Sequence, residues 1–333
     1  MPTVYVREQG AVVRRRGERL MVTRDKRELL DLPLIHLDQL VIFGNVQLTT
    51  SAVAMLLQAE VDVVFLSSYG KFRGRLMHTG SKFAQLRHAQ LQTMSREADN
   101  LAIARQVVVG KLHNQQALLQ ARLGEGGQVM RVQQASRSVK AMIERAGQAT
   151  SLDSLRGFEG SGAASYWGAF KALLAVDLGF EGRNYFPPPD PVNGLLSFGY
   201  SLLLKDVTAA VQLVGLDPYL GFFHTIHYGR PSLALDMMEE FRPVVVDGLV
   251  LDLVNSGQIT GASFEQTGEA KLPIRLTNPT IDALIERYEQ RLAERVSHAD
   301  GGGMTSYRRV IELQVRRLAG VVLGKTKSYK PFI

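Results

Sequence analysis

SKFAQLRHAQLQTMSREADNLAIARQVVVGKLHNQQALLQARL, residues 81–123, is the stretch that divides the chain. It contains no proline and one internal glycine, Gly110, and it spaces Phe83, Leu86, Leu91, Met94, Leu101 and Ile103 at helical intervals. The spacing predicts a helical connector that leads into a helical domain. The sequence on either side of it differs in kind.

Upstream, residues 3–80 read as mostly β. Residues 3–6, 11–13 and 20–22 are short and β-branched, separated by Gly10 and by the arginine-rich turn around Gly17. IHLDQLVIFG, residues 35–44, alternates and then turns apolar, as a strand does on passing from a sheet edge into a core. LTTSAVAMLLQAE, residues 48–60, predicts one short helix capped by Thr49, Thr50 or Ser51. Residues 61–66 then predict a buried strand, Tyr69-Gly70-Lys71 a turn and residues 72–77 a last strand. Downstream, GEGG at 124–127 marks a turn, and helical periodicity resumes over 129–149. The remainder reads as helical, punctuated by FPPPDPVNG at 186–194 and HADGGG at 298–303. The expected fold is therefore α+β: an N-terminal β domain with one short helix over residues 1–80, then a larger all-α domain over residues 81–333 that includes the connector.

Composition limits what such a chain can do. A chain of 333 residues with 45% hydrophobic and 21% charged residues has enough material for two cores and reads as folded throughout. Without cysteine, disulfides and thiolate metal sites are excluded, which fits a reducing compartment. The first twenty residues lack a signal-peptide core, and no uninterrupted apolar run approaches the roughly 18 residues of a membrane span, so the expected location is cytoplasmic with no membrane partner. The net charge of +7 favours a polyanion such as DNA. Much of that excess lies early: Arg14, Arg15, Arg16 and Arg19 cluster at one hairpin, and Lys71, Arg73 and Arg75 lie along one predicted strand.

Chemistry concentrates in GLDPYLGFFHTIHYGRPSLALDMMEEFRP, residues 215–243. Asp217 and Pro218 predict a helix start that places His224 about two turns in, with His227 one turn further. Gly229-Arg230-Pro231 ends that helix, and a second runs over 233–241, with Asp236 and Glu239 on one face and Glu240 turned about 100° away. One histidine with one or two carboxylates is half of a divalent-cation site. The missing ligand is sought at Glu159, on a helix beginning after Thr150 or Ser151, where Gly157, Gly160 and Gly162 leave room for close helix packing or for a ligand. Spacing alone leaves the plainer alternatives standing: a solvated Glu159, a core His224 and an acidic surface face.

Four motifs in order then carry a resemblance over nearly the whole chain: LRGFEGSGAASYW at 155–167, DPVNGLLSFGYSLL at 190–203, GLDPYLGFFH at 215–224 and DMMEEFRPVVVD at 236–247. The chain resembles the CRISPR adaptation integrases, the Cas one family. The resemblance implies an N-terminal β domain that dimerises and a C-terminal helical catalytic domain. It implies metal ligands at Glu159, His224 and Glu239, the last an aspartate in many relatives, with Asp236 as a supporting carboxylate and Mg2+ or Mn2+ as the cofactor. The implied activity is insertion of spacer-precursor DNA beside a CRISPR repeat through attack of a 3′ hydroxyl on a phosphodiester; with water as nucleophile the same site is an endonuclease. The implied partners are DNA, a second copy of the chain and the small Cas two protein. Candidates for holding DNA are Arg156, Arg230, Arg242 and the C-terminal Arg308, Arg309, Arg316 and Arg317, with Tyr166 and Trp167 as stacking surfaces. The tail KTKSYKPFI is expected to be mobile. A repair nuclease that never integrates, and a basic DNA-binding scaffold with structural carboxylates, remain alternatives.

Overall fold

The computed structural model describes residues 3–25, 27–68, 72–76, 83–185, 187–269, 273–301 and 303–333. The expected turn at Tyr69-Gly70-Lys71, with the Lys71 position, lies outside them. Contacts divide the chain into two units at residues 81 and 82.

Among the described residues the first unit holds two four-stranded sheets. One is built from β1 (Thr3–Val6), β5 (Gln39–Phe43), β7 (Asp62–Leu66) and β8 (Phe72–Leu76), the first three parallel and β8 antiparallel to β7. The other orders β4 (Arg27–Pro33), β3 (Arg19–Arg24), β2 (Val12–Arg16) and β6 (Gln47–Leu48). Helix α1 (Thr50–Gln58) starts at Thr49, whose hydroxyl accepts from the Ala52 amide, and turns Ala52, Met55 and Leu56 inward. These pack with Val13, Leu20, Val22, Leu40, Ile42 and Val63 into one core, the inward half of each alternating strand. Three arginines of the β2–β3 hairpin are paired: Arg15 with Glu18, and Arg16 and Arg19 both with Asp31. Arg75 pairs with Asp62.

The second unit is mainly helical. The expected connector is two helices, α2 (Ala84–Ser95) and α3 (Glu97–Ala121), separated where Arg96 adopts an extended backbone. Helices α4 (Val129–Gly147) and α5 (Leu152–Leu173) pack with α3, and Gly162 of α5 permits the close approach: a Cβ there would meet Leu112 Cδ2 at 2.5 Å. Helix α6 (Pro191–Val214), capped by Asp190, runs through the middle. It is long and apolar enough to cross a membrane by composition, but 78% of that apolar window is buried inside the unit, so it serves as the core helix. After it come α7 (Ser232–Met238), a π-helical turn over Arg242–Asp247, α8 (Gly248–Asn255), α9 (Asn278–Ala293) and α10 (Tyr307–Val322). Among the described residues the unit is helical but not all-α: two short antiparallel strand pairs, β9 (Phe264–Gln266) with β10 (Ile274–Leu276) and β11 (Arg295–His298) with β12 (Gly303–Ser306), flank α9 in the chain. These three- and four-residue strands are too short to show period-two alternation and, unlike residues 3–6 and 11–13, carry at most one β-branched residue each, which is why the sequence reads as helical through them.

The tail is docked rather than mobile. Tyr329 is buried and donates to Glu240 Oε1, the Phe332 amide donates to Glu240 Oε2, and the Phe332 ring stacks on Phe241 at 5.8 Å. Asn114 Nδ2 of α3 donates to the carbonyls of both Glu240 and Phe332. Glu240, turned away from Glu239 as the spacing predicts, is thus the anchor of the C-terminal segment; burial raises its pKa to about 7, against the donors that favour its charged form.

Candidate metal centre

Residues 216–231 form no helix, contrary to the expectation from Asp217-Pro218. The backbone amides that would have continued a helix are used elsewhere. Asp236 of α7 accepts from the amides of Phe222 (2.6 Å), Phe223 (3.0 Å) and His224 (2.9 Å), so one carboxylate holds the loop. Gly221 allows this approach, since a Cβ there would lie 2.9 Å from Asp236 Oδ2 and 2.7 Å from the Ser232 carbonyl carbon. Asp217 instead accepts from the Tyr219 amide in a local turn. His227 is exposed on this loop and lies outside the site.

Asp236 also fixes the imidazole. Its Oδ1 is 2.6 Å from His224 Nδ1, and a carboxylate there keeps the proton on Nδ1 and leaves Nε2 with a free lone pair. That Nε2 faces Glu239 Oε1 at 3.7 Å. Replacing Asp236 with asparagine is expected to weaken divalent-metal affinity about 10–100-fold, because an amide cannot accept all four of these hydrogens; calorimetric titration of Mn2+ measures it.

Glu239 ends α7 and is buried. Lys111 of α3 places its Nζ 2.7 Å from Glu239 Oε2 and 2.5 Å from Glu159 Oε1 of α5. Arg242 closes the other side, its Nε 3.2 Å from Glu239 Oε1 and its guanidinium over the Tyr200 ring at 4.5 Å. Burial alone would raise the pKa of Glu239, but the charges of Arg242 and Lys111, with the His224 imidazole beside them, outweigh it and hold it at about 2. Burial alone would lower Lys111, and the carboxylates of Glu239 and Glu159 carry it above the usual lysine value instead. The structure thus brings Glu239 against His224 directly and against Glu159 through one lysine. Among the described residues no three Asp, Glu or His side chains stand as a ready-made metal cage, and the Lys111 ammonium between two of them accounts for it.

The donor set nevertheless fits a hard divalent cation. It offers two carboxylates and an oriented imidazole nitrogen, and Glu239 Oε2, although close to Lys111, is buried without a hydrogen-bond donor in good direction. The site opens at Glu159, whose side chain is 20% exposed against 4% for Glu239. Gly157 and Gly160 leave the α5 surface beside it bare.

Other candidates divide. Arg156, one turn before Glu159, pairs with Asp153 and leans on the Phe223 carbonyl at the rim. Arg230 is half-buried at the end of the His224 loop. Arg242 points into the site rather than outward. Tyr166 is not a stacking surface: it is wholly buried, and its hydroxyl donates to Asp247 Oδ2 at 2.7 Å. Trp167 packs on Tyr166, Phe170 and Phe180. Arg308 is committed to Asp206 and Glu289, Arg309 and Arg316 to Glu312, and Arg317 to Asp300.

Beneath the site, Asp247 accepts from both Tyr166 and Tyr200. Burial raises its pKa to about 6, opposed by those two hydrogen bonds and by Arg242 and Arg183. A carboxyl whose folded pKa is raised contributes stability below its unfolded pKa near 4 and loses it as pH climbs through 6. Relative to Asp247→Asn, the unmutated protein is therefore expected to lose about 2 kcal/mol of stability between pH 4 and pH 7. Urea unfolding of both proteins at the two pH values measures the difference.

With this geometry in place, the sequence model of the family described as CRISPR associated protein Cas1 matches residues 4–290. The chain belongs to the Cas1 family. A Cas1 relative from Thermus thermophilus, named a CRISPR-associated endonuclease, is 37% identical over 331 residues, covering 99% of this chain and 96% of its own length. Two solved structures share the fold. A casposase bound to integration product has a TM-score of 0.87 at 24% identity and covers 99% of this chain and 93% of that one. A Cas6-RT-Cas1–Cas2 complex has a TM-score of 0.86 at 24% identity and covers 99% of this chain and 36% of that one. The Cas1 match spans both units, from the β1 strand to α9, and so includes every residue of the centre.

Proposed function

We propose that the Lys111-bridged centre is the active site of a CRISPR adaptation integrase that is also a metal-dependent DNA endonuclease. The single observation that carries this reading is the run of contacts that links Glu159 to Glu239 through Lys111, and Glu239 to an Asp236-oriented His224, in a chain whose relatives are named Cas1 endonucleases. Glu159, His224 and Glu239 would hold Mg2+ or Mn2+, which when bound polarises a phosphodiester and lowers the pKa of an attacking hydroxyl. The protein's own groups do the rest. Asp236 fixes the imidazole tautomer, and Arg242 offsets the charge of Glu239. Arg156 and Arg230, at the rim, are placed to take phosphate oxygens of the substrate strand.

The substrate is duplex DNA: a 3′ hydroxyl of the incoming strand displaces a 3′ oxygen in the repeat, one phosphodiester forming as another breaks, with no covalent protein intermediate. The first unit pairs two copies of the chain, and a Cas2 protein is the partner that spaces two such sites; the Cas2-containing complex with the same fold supports that assignment. The experiment is label transfer. Purified protein, Mg2+ or Mn2+, Cas2, a labelled duplex with free 3′ hydroxyls and a supercoiled repeat plasmid are expected to give labelled plasmid. Cleavage without transfer would leave only the endonuclease, and DNA binding without either reaction would reduce the protein to a scaffold.

A further inference from the structure

A buried lysine between the two carboxylates of a metal site is an unexpected choice, since its charge opposes the ion the site is built to hold. Lys111 is 9% exposed, and both of its partners are the acidic ligands of the proposed centre, one from α5 and one from the end of α7. We propose that Lys111 is a resident counter-cation: its ammonium holds Glu159 and Glu239 together in the metal-free protein and withdraws when a divalent cation takes the same oxygens. The inference deepens the metal-site reading and rests on it.

Three observations carry it. First, the ammonium nitrogen lies 2.5 and 2.7 Å from the two carboxylates, whereas Mg2+ binds oxygen at roughly 2.0–2.1 Å. An ion that takes these two oxygens at that distance would stand against the ammonium, and the repulsion between the two cations drives the ammonium out. Second, the backbone behind it is fixed. Gly110 packs so closely on Pro331 that a Cβ would meet the proline ring at 2.4 Å, and Asn114, one turn on, is bonded to the carbonyls of Glu240 and Phe332. Only the four-carbon stem is free to move, which suits lysine and not arginine. Third, without the ammonium the charges of Glu239 and Glu159 would stand beside each other with no cation between them in a mostly buried pocket, which costs stability in the metal-free protein. Lys111 thus keeps the site assembled and sets a threshold for loading it. It acts through the ligands and is a positioning residue.

The test is calorimetric titration of Mn2+ into the metal-free full-length protein, with thermal unfolding beside it. Lys111→Met is expected to bind Mn2+ at least about tenfold more tightly, to unfold at a lower temperature without metal and to recover with saturating Mn2+. Lys111→Arg, whose planar fork grips both carboxylates, is expected to bind at least about tenfold more weakly. Equal or weaker binding by Lys111→Met overturns the proposal, because an ammonium that has to withdraw from the ion's oxygens costs affinity for as long as it is there.

A measurement on the unmutated protein stands independently of how that variant folds. The Lys111 ammonium signal of a 15N-lysine sample, identified by its loss in Lys111→Arg, should shift on saturation with Mg2+, and an unmoved signal overturns the exchange. Glu159→Gln separates the two levels of the argument. If it abolishes Mn2+ binding while Lys111→Met binds as the unmutated protein does, only the counter-cation role fails; if Mn2+ binds unchanged to Glu159→Gln, the metal-site reading itself fails.

Discussion

Replacing Glu159 with alanine is expected to lower both strand transfer and DNA cleavage roughly 10²–10³-fold while changing stability by about 1 kcal/mol or less. The asymmetry follows from where the residue sits. Glu159 is the most exposed of the three proposed ligands, on a surface of α5 kept bare by Gly157 and Gly160, so its carboxylate lies at the open side of the centre. Its loss leaves no charge stranded, because Lys111 keeps Glu239 at 2.7 Å. The unfolding midpoint should therefore stay close to that of the unmutated protein while labelled plasmid disappears. A variant that loses activity and midpoint together would place Glu159 in the scaffold; one that keeps activity would remove it from the centre. DNA binding measured on the same sample by fluorescence anisotropy should be retained, since the rim arginines Arg156 and Arg230 are untouched.

How far the sequence foretells this centre depends on the kind of signal each residue leaves. Glu159, His224 and Glu239 stand in dense local motifs and were legible as candidates. The path of the chain between them was not. Asp217-Pro218 is a good helix start by composition, and it fails as one because the carboxylate of Asp236, from the following helix, accepts the amides of residues 222–224. No local pattern reports a competitor that arrives from fourteen residues downstream. Tyr166 misleads for a related reason: an aromatic near a ligand suggests stacking, whereas its partner, Asp247, is a carboxylate 81 positions later.

Lys111 is the residue most worth finding and the easiest to pass over. It stands in IARQVVVGKLHNQQALL, after a run of apolar residues and Gly110, where a lone lysine on a buried helix face is itself a sign of a buried acid. In the β unit the alternation of strands and the Thr49 cap were plain in sequence, while β9 to β12 were too short to leave a periodic trace.

Replacing Glu239 with alanine is the change expected to cost the most stability, about 3–5 kcal/mol. Glu239 is buried to 3% exposure and faces three nitrogen groups: Lys111 Nζ at 2.7 Å, Arg242 Nε at 3.2 Å and His224 Nε2 at 3.7 Å. Its removal leaves Arg242 in the interior without its nearest carboxylate, with the Tyr200 ring, the Met238 sulfur and the more distant Asp247 beside it, and leaves Lys111 with Glu159 as its remaining ion-pair partner among the described residues. For a unit of this size each kcal/mol moves the midpoint by roughly 2–4 °C, so differential scanning calorimetry should show a fall on the order of 10 °C.

The pairing with Lys111 can be isolated. In a cycle of Glu239→Gln, Lys111→Met and the double variant, the double should be more stable than the sum of the singles predicts by about 1–3 kcal/mol, because it removes both charges at once. Strict additivity would mean that the lysine answers Glu159 and not Glu239. Saturating Mn2+ separates Lys111→Met from Glu239→Ala. Metal should raise the midpoint of Lys111→Met most, where both carboxylates are present and no ammonium competes, and should leave Glu239→Ala nearly unmoved, where one proposed ligand is gone. An ion that stabilised Glu239→Ala as much as the unmutated chain would have to bind elsewhere.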